Sequence, residues 1–197
     1  VYAATYGGIW KSLDGGNTWK KKRSGALPNY SYYTDVAIDK NGVVYGTLSS
    51  ESTHKGIWRS VDGETWVSIL PSGFPAAYGR ICIGIAPSDP NQVHFVATNT
   101  TNAGFVSTNF QGTKEWNSLW KYDYLSGNGS GTGGRWINKS QNLPAKGGDF
   151  GYYSTQGGYD LYIRIHPSDT NLVFIGATNL WRSRDAFRSN TKTDWIG

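Results

Sequence analysis

Four pairs of tryptophans recur along the chain, and this repetition constrains the fold more than any other feature of the sequence. Each first member is followed by a Lys or Arg, and the first members are Trp10, Trp58, Trp120 and Trp181. The second members are Trp19, Trp66, Trp136 and Trp195, so the pairs contain eight of the nine tryptophans. Repetition of this kind is the mark of a repeat architecture, in which each unit is a supersecondary structure that stacks on its neighbours.

Short apolar runs precede the pairs and predict β-strands. Runs rich in β-branched and aromatic residues span 43–47, 93–98 and 173–178, with 1–5 as a clipped copy. A second set lies further upstream, at 36–38, 81–85 and 161–165. Clusters of Pro, Ser, Asp and Asn separate the two sets as turns. Each unit therefore contains four short strands, which we label A to D from the predicted axis outwards.

The first tryptophans are 48, 62 and 61 residues apart, and insertions around Trp120 account for the longer intervals. Four antiparallel strands every forty to fifty residues or so are typical of a β-propeller blade. We predict an all-β fold, a β-propeller fragment of about three and a half four-stranded antiparallel blades. The predicted blade units are about 1–28, 29–75, 76–144 and 145–197, in one segment that is incomplete at both ends. We expect further blades of the same polypeptide, because propellers close with roughly four to eight.

A turn motif recurs between the paired tryptophans of the first two units. Its copies are Ser12-Leu13-Asp14-Gly15-Gly16-Asn17-Thr18-Trp19 and Ser60-Val61-Asp62-Gly63-Glu64-Thr65-Trp66. A tight hairpin turn needs positive φ, which Gly15 and Gly63 supply, and a carboxylate at its entry accepts backbone N–H groups. The last unit keeps Ser183 and Asp185 without the glycines, and the third unit keeps only Asp123. These four aspartates are therefore predicted to lie in C–D turns.

At this motif the sequence resembles the Asp-box (BNR) repeat family, whose pattern is S-x-D-x-G-x-T-W. The resemblance implies a β-propeller fold and a structural role for the box residues Ser12, Asp14, Gly15, Trp19, Ser60, Asp62, Gly63, Trp66 and Asp185. The family includes sialidases, xyloglucan-acting glycoside hydrolases and sortilin-type receptors, so the resemblance leaves the function open. Segments 117–122, 142–144 and 179–183 look closest to propeller proteins exported by type IX secretion, which implies a secreted or cell-surface location.

The composition argues against several kinds of site. The single cysteine, Cys82, excludes an internal disulfide and a cysteine-based zinc site. The three histidines lack metal-ligand spacing, so we expect no metal and no other cofactor. No apolar run is long enough to span a bilayer, so we expect no membrane insertion. The basic run 20–23 is predicted to be a solvated strand edge, and no nucleic-acid partner is expected because aromatic and basic residues are not interleaved along a stripe.

The links between the predicted strands divide between two faces. Because the strands alternate in direction, the A–B and C–D links share one face, and the B–C and D–A links share the other. The D–A links are rich in aromatic residues, which can stack on sugar rings or anchor a protein. With two arginines near the axis, they give the candidate binding residues Tyr30, Tyr32, Tyr33, Tyr78, Arg80, Tyr152, Tyr153 and Arg164. The alternative is that most of these rings pack against neighbouring blades.

Most of the fourteen carboxylates fall in predicted turns and hairpins, and those that remain include Asp35 and Asp160 near the entrances of two innermost strands. Glycoside hydrolysis needs two carboxyl groups roughly 5 to 9.5 Å apart, so this pair is the catalytic candidate. Ion pairing around the axis is its structural alternative. The sequence thus predicts a secreted or cell-surface scaffold that binds a glycan or a protein through aromatic loops. The alternative is part of a glycoside hydrolase with a groove on the same face, and whether the chain is an enzyme stays open.

Overall fold

The computed structural model describes residues 1–100, 102–109, 111–144, 146–147 and 151–197. Within this part of the chain the regular structure is β-strand, apart from three short 3₁₀ helices at Gly131–Gly133, Ser140–Asn142 and Gln156–Gly158. None of the helices described is long and apolar enough to cross a membrane.

Four antiparallel sheets follow one another along the chain. The first contains β1 (Tyr2–Thr5), β2 (Gly8–Lys11) and β3 (Lys20–Ser24). The second contains β4 (Thr34–Ile38), β5 (Val44–Leu48), β6 (Gly56–Ser60) and β7 (Val67–Ser68). The third contains β8 (Tyr78–Ala86), β9 (Asp89–Asn99), β10 (Phe105–Thr108), β11 (Lys114–Tyr124) and β12 (Gly134–Asn138). After a two-stranded ladder of β13 (Lys146–Gly147) and β14 (Gly151–Tyr152), the fourth contains β15 (Tyr162–Ile165), β16 (Val173–Gly176), β17 (Leu180–Ser183) and β18 (Thr193–Trp195).

The sheets are meanders stacked side by side, which confirms the predicted all-β fold of a partial β-propeller. In the second and fourth sheets the strands pair in chain order, so β4 and β15 are A strands and β7 and β18 are D strands. In the third sheet β8, β9 and β11 are strands A, B and C, and β12 pairs with one end of β11 while β10 pairs with the other. The first sheet supplies strands B to D. The A strands lie next to one another, since β8 contacts both β4 and β15.

The first tryptophan of each pair occupies a C strand, as the repeat predicts. Trp58 lies opposite Gly46, Trp120 opposite Phe95 and Trp181 opposite Ile175 of the adjacent B strands. The second tryptophans are less regular: only Trp195 lies directly opposite its partner, whereas Trp136 lies opposite Tyr122. The regularity of the blades therefore depends on the B–C pairing, and the D strands vary.

The core lies between adjacent sheets. One buried cluster joins the third and fourth sheets through Cys82, Val96, Leu119, Ile163, Ile175, Trp181 and Phe187. A second joins the second and third sheets through Tyr45, Ile57, Phe95, Trp120 and Tyr122. Glycines within the strands allow this close approach, because a Cβ at Gly84 would lie 2.6 Å from Cδ1 of Ile165. The facing sides of the second, third and fourth sheets are thus buried against each other, as in stacked propeller blades.

The box residues form compact turns in the two glycine-containing copies. The Ser12 hydroxyl donates to Asp14 (2.7 Å) and accepts from the backbone N–H of Gly16 (2.8 Å). Asp14 accepts from the Thr18 hydroxyl at 2.6 Å and from its backbone N–H at 2.9 Å, which holds the pKa of Asp14 well below its usual range. Ser60 and Asp62 repeat the arrangement, and two backbone N–H groups donate to Asp62 at 2.8 Å.

Two other expectations need correction. Asp123, predicted to lie in a C–D turn, lies within β11 and forms ion pairs with Lys121 (2.8 Å) and Arg135 (2.7 Å), because the insertion lengthens this hairpin. The basic run in β3 is also more than a solvated edge. The Lys22 ammonium pairs with Glu64, and the Arg23 guanidinium lies 3.3 Å from the centre of the Trp58 ring. Both contacts join the first sheet to the second.

Candidate functional site

Three tyrosines, two of them exposed and one half-buried, form a group on the face that carries the B–C and D–A links. Tyr6 comes from the link between β1 and β2, and Tyr30 and Tyr32 come from the link between β3 and β4. The ring centres of Tyr6 and Tyr30 are 6.2 Å apart, and those of Tyr6 and Tyr32 are 5.8 Å apart. Tyr6 is 66% exposed and Tyr32 is 58% exposed. We call Tyr6, Tyr30 and Tyr32 the tyrosine cluster.

Hydrogen bonds fix the two links that carry the tyrosine cluster. The backbone N–H of Gly7 donates to the carbonyl of Ser31 at 2.9 Å, which joins the links directly. The Ser49 hydroxyl accepts from the backbone N–H of Tyr32 at 3.0 Å and lies 3.0 Å from the buried Ser31 hydroxyl. The Thr34 hydroxyl donates to the carbonyl of Thr5 at 2.6 Å. The rings are therefore presented on a backbone that is already ordered, which lowers the entropic cost of binding.

A cation and an indole lie at the edge of the tyrosine cluster. The Lys21 ammonium is 5.7 Å from the centre of the Tyr30 ring and 5.1 Å from that of Trp10. The Trp10 indole N–H donates to the Thr5 hydroxyl at 3.1 Å. The cluster thus combines aromatic faces with polar groups at the rim, an arrangement that suits a ligand with alternating C–H and hydroxyl surfaces.

The other candidate tyrosines are placed differently. Tyr78 is 1% exposed and Tyr153 is 0% exposed, so neither presents its ring on the surface, a correction to the predicted binding set. Tyr78 packs edge-on against Phe74 with ring centres 5.2 Å apart, because the D–A link before β8 folds into the core between sheets. Tyr33 is exposed, but one edge of its ring lies beside Gly79 of β8. The side chain of Tyr152 lies outside the described part of the structure.

A cavity of about 540 Å³ runs along the A strands and brings three of the four predicted axial residues together. Asp35, Arg80 and Arg164 line it, and Asp160 does not. The Asp35 carboxylate accepts from the backbone N–H groups of Ile83 and Val36, each at 2.9 Å, and thereby links β4 to β8. Burial raises the pKa of Asp35 despite these bonds.

Both arginines of this axial cavity donate hydrogen bonds to backbone carbonyl groups of the protein. Arg80 donates to the carbonyl of Tyr159 at 3.0 Å, and Arg164 donates to the carbonyl of Ile163 at 3.0 Å. The Arg164 guanidinium also lies 4.6 Å from the centre of the Tyr162 ring. The Arg80 bond joins β8 to the link before β15, whereas both Arg164 contacts lie within β15.

A hydrolytic pair of carboxylates is not formed by the residues that line the axial cavity. Its lining carboxylates are Asp35 and Asp39. They are four residues apart along one strand and its end, a span of about 13 Å at the usual rise per residue. That exceeds the roughly 5 to 9.5 Å that glycoside hydrolysis requires. The described residues also contain no group of three or more His, Cys, Asp or Glu side chains suited to hold a metal ion.

Tyr6 is the exposed aromatic residue that the sequence reasoning missed. It lies in the B–C link of the clipped first unit, whereas the predicted aromatic binding residues lie in the D–A links. The signal was present, because Tyr6-Gly7 stands between two strands and the B–C links share a face with the D–A links.

Comparisons with known proteins place the chain by its fold. No protein-family model matches the chain, and no curated protein matches it by sequence. Among solved structures, a GH74 enzyme from Niastella koreensis is similar over 96% of this chain and 26% of its own, with 20% identity and a TM-score of 0.57. A GH74 xyloglucanase from Xanthomonas campestris is similar over 95% of this chain and 26% of its own, with 16% identity and a TM-score of 0.56. The chain thus has the fold of part of a GH74 propeller and spans about a quarter of the length of these enzymes.

Proposed function

We propose that the protein is a secreted or cell-surface β-propeller scaffold that binds a glycan through the tyrosine cluster. The observation that carries this proposal is the meeting of three tyrosine rings from two separate links on one face, with centres about 6 Å apart. Exposed aromatic groups of this kind are uncommon on a surface unless they serve a ligand.

The chemistry of the cluster suits sugar rings. Pyranose rings present C–H groups on their faces, which pack on aromatic rings, while their hydroxyl groups reach the hydrogen-bonding groups at the rim. Tyrosine loses little side-chain entropy on binding because it has few rotatable bonds. The Tyr6 and Tyr32 rings leave most of their surface free, so a ligand can bury apolar area on both.

The structural relatives favour a glycan over a protein as the ligand. One of them is named as a xyloglucanase and both are GH74 enzymes. Xyloglucan is therefore the first probe, and other neutral and charged polysaccharides complete the panel. A protein ligand is the alternative that would account for an exposed cluster without glycan affinity.

Calorimetric titration of the intact protein with xyloglucan oligosaccharides tests the proposal. Tyr6→Ala and Tyr32→Ala should each weaken binding by up to roughly tenfold, the value of one aromatic contact, whereas Tyr6→Phe keeps the ring and should retain most of the affinity. Tyr159→Ala is the matched control, because Tyr159 is exposed in a different D–A link. Equal affinity of the Ala variants and the unchanged protein, or an equal loss in Tyr159→Ala, would rule out the cluster as the site.

The hydrolase alternative is favoured by the fold shared with GH74 enzymes and by the half-buried carboxyl group of Asp35, whose pKa is raised. Because the axial cavity lacks a partner carboxylate at a suitable distance, this alternative needs a second carboxyl group from another part of the polypeptide. Reducing ends measured in the same incubations distinguish the two: a scaffold binds the oligosaccharides without releasing new reducing ends.

A further inference from the structure

A second cavity, of about 490 Å³, lies between the third and fourth sheets and is separate from both regions described above. Its charged lining residues are Lys121, Lys139 and Arg188. Four carboxamide side chains also line it, those of Gln92, Asn138, Asn142 and Asn171. No carboxylate lines it among the residues that the structure describes. A concave site with cations and neutral amides has the composition of an anion site.

Lys139 is the central cation of this cavity. It is 5% exposed, and its ammonium donates to the carbonyl of Ala186 at 2.6 Å. An ammonium group has three donors, so this bond leaves two for another partner. Burial, together with the nearby charges of Lys121 and Arg188, lowers the pKa of Lys139 to about 8. The positive charge of the Lys139 ammonium is thus not balanced by the neighbouring negative charges.

The acidic groups near the cavity are already engaged. Asp123 is shared between Lys121 at 2.8 Å and Arg135 at 2.7 Å. Asp185 accepts from the hydroxyls of Ser183 and Ser189 and from the backbone N–H of Arg188. The Arg188 guanidinium has no ion pair within the described ranges of the chain. The local balance of charge is therefore positive.

The buried His94 of β9 lies opposite Lys121 of β11 and adds no charge to the cavity. Both ring nitrogens of His94 are buried and have no hydrogen-bond partner among the described residues. Burial and then the charges of Lys139 and Lys121 lower the pKa of His94 to about 3. His94 is therefore neutral at pH 7 and adds no charge beside Lys121 and Lys139.

We propose that the cavity between the third and fourth sheets binds an oxyanion, a phosphate, sulfate or carboxylate group, through Lys139, Arg188 and the carboxamides. The anion would accept charge-assisted hydrogen bonds from the free donors of Lys139 and from the planar guanidinium of Arg188, which suits oxyanions geometrically. Such a group is either a free inorganic anion or a substituent on a charged polysaccharide. This site is independent of the tyrosine cluster.

The test is calorimetric titration of the intact protein at pH 7 and constant ionic strength with inorganic phosphate, inorganic sulfate and a sulfated oligosaccharide. Arg188→Gln should weaken binding of each anion that binds by at least roughly tenfold, the value of one charge-assisted bond. Lys139→Gln should do the same, but its loss of the bond to Ala186 risks misfolding, so Arg188→Gln is the decisive variant. Arg184→Gln is the matched control, because Arg184 belongs to the same turn, pairs with Asp194 at 3.0 Å and does not line the cavity.

The arms of this experiment separate the two sources of the anion. Stronger binding of the sulfated oligosaccharide than of inorganic sulfate, with dependence on Arg188, assigns the site to a charged polysaccharide. Equal or stronger binding of the inorganic anions with the same dependence assigns it to a free anion. Absence of binding in all arms, or an equal loss in Arg184→Gln and Arg188→Gln, overturns the proposal.

The pH dependence gives a second readout. Anion binding favours the charged form of Lys139, so the affinity for sulfate, whose own charge is constant in this range, should fall as the pH rises through about 8. The other titratable groups near Lys139 are Lys121 and Asp123 from β11, Asp185 and Arg188 from the turn after β17, and the neutral His94 from β9. A sulfate affinity that does not change between pH 7 and roughly pH 9.5 would show that Lys139 does not contact the anion.

Discussion

The turn between β2 and β3 and the turn between β17 and β18 have the same hydrogen bonds but different sequences and surroundings. In both, a serine hydroxyl donates to the aspartate two residues later, at 2.7 Å for Ser12 and 3.0 Å for Ser183. In both, the serine hydroxyl also accepts from a backbone N–H four residues later, at 2.8 Å. The Asp14 carboxylate binds Thr18, and the Asp185 carboxylate binds Ser189 in the corresponding position.

The two turns differ in how they reach positive φ. The first uses Gly15 and Gly16 at φ of 73° and 101°. The second has Ala186 and Phe187 at φ of 53° and 55°, a conformation that costs a residue with a Cβ about 1 kcal/mol or more. The Ser–Asp hydrogen bonds, and not the glycines, therefore define the turn.

The surroundings explain why the second turn tolerates this strain. The Lys139 ammonium donates to the carbonyl of Ala186, and the Asn142 amide donates to that of Phe187 at 2.8 Å. The backbone N–H of Ala186 donates to the carbonyl of Asn171 at 2.7 Å. The Phe187 ring is fully buried in the core between the third and fourth sheets. Contacts with neighbouring segments thus replace the conformational freedom that glycine gives the first turn.

The largest expected effect comes from the ring that anchors the second turn. Phe187→Ala should lower the free energy of unfolding by about 3–5 kcal/mol, because it removes a buried aromatic side chain and leaves a cavity. Leu13→Ala is the matched change in the first turn, where the side chain is 85% exposed, and should have almost no effect. Chemical denaturation of the two variants measures the difference. Similar losses in both would mean that the two turns are equally anchored.

A smaller effect is expected from the aspartates. Asp185→Ala should lower the free energy of unfolding at neutral pH by about 1–3 kcal/mol, because it leaves the backbone N–H of Arg188 and the hydroxyls of Ser183 and Ser189 without their acceptor. Asp14→Ala should cost less, because Thr18, which donates two of its hydrogen bonds, is exposed and can bond to water instead.

The pH dependence of stability tests the same aspartate. Burial opposes the ionised form of Asp185, but the hydrogen bonds from Ser189, Ser183 and Arg188 outweigh burial and lower its pKa. The folded pKa then lies below the unfolded value of about 3.9, so the stabilisation is present above about pH 4 and is lost as the pH falls further. The acid unfolding curve of Asp185→Ala should therefore be flatter than that of the unchanged protein, and a parallel curve would contradict this role.

The sequence predicted the repeat well, because the signals for strands and turns are local. Apolar runs, turn clusters and the position of Trp58 or Trp181 in a C strand follow from short segments of chain. The burial of Tyr78 could not be predicted from the sequence, because Tyr32 lies in a similar D–A link and is exposed. Packing between blades decides which of these rings reaches the surface, and that packing joins residues distant in the chain.

The same limit applies to the cavity between the third and fourth sheets. Lys139 and Arg188 are 49 residues apart, and neither belongs to a motif with a known spacing. Asp35 combines both situations. Its place in an innermost strand was predictable from the sequence, but the hydrogen bond that its carboxylate accepts from the backbone N–H of Ile83 depends on the next blade. Sites that form between repeats thus leave little trace within any one repeat.

The smallest expected effect comes from exchanging the residues at the first positive-φ position of the two turns. Ala186→Gly should raise the free energy of unfolding by up to about 1 kcal/mol, because glycine adopts φ of 53° without the Cβ penalty. The greater conformational entropy of glycine in the unfolded chain offsets part of this stabilisation. Gly15→Ala should lower it by about 1 kcal/mol, and the effect is conformational because a Cβ there would meet no atom within 4 Å. Thermal unfolding of both variants measures the exchange. If Ala186→Gly lowers the free energy of unfolding instead, the hydrogen bonds with Lys139, Asn142 and Asn171 stabilise the positive φ of Ala186 fully, and this residue is not strained.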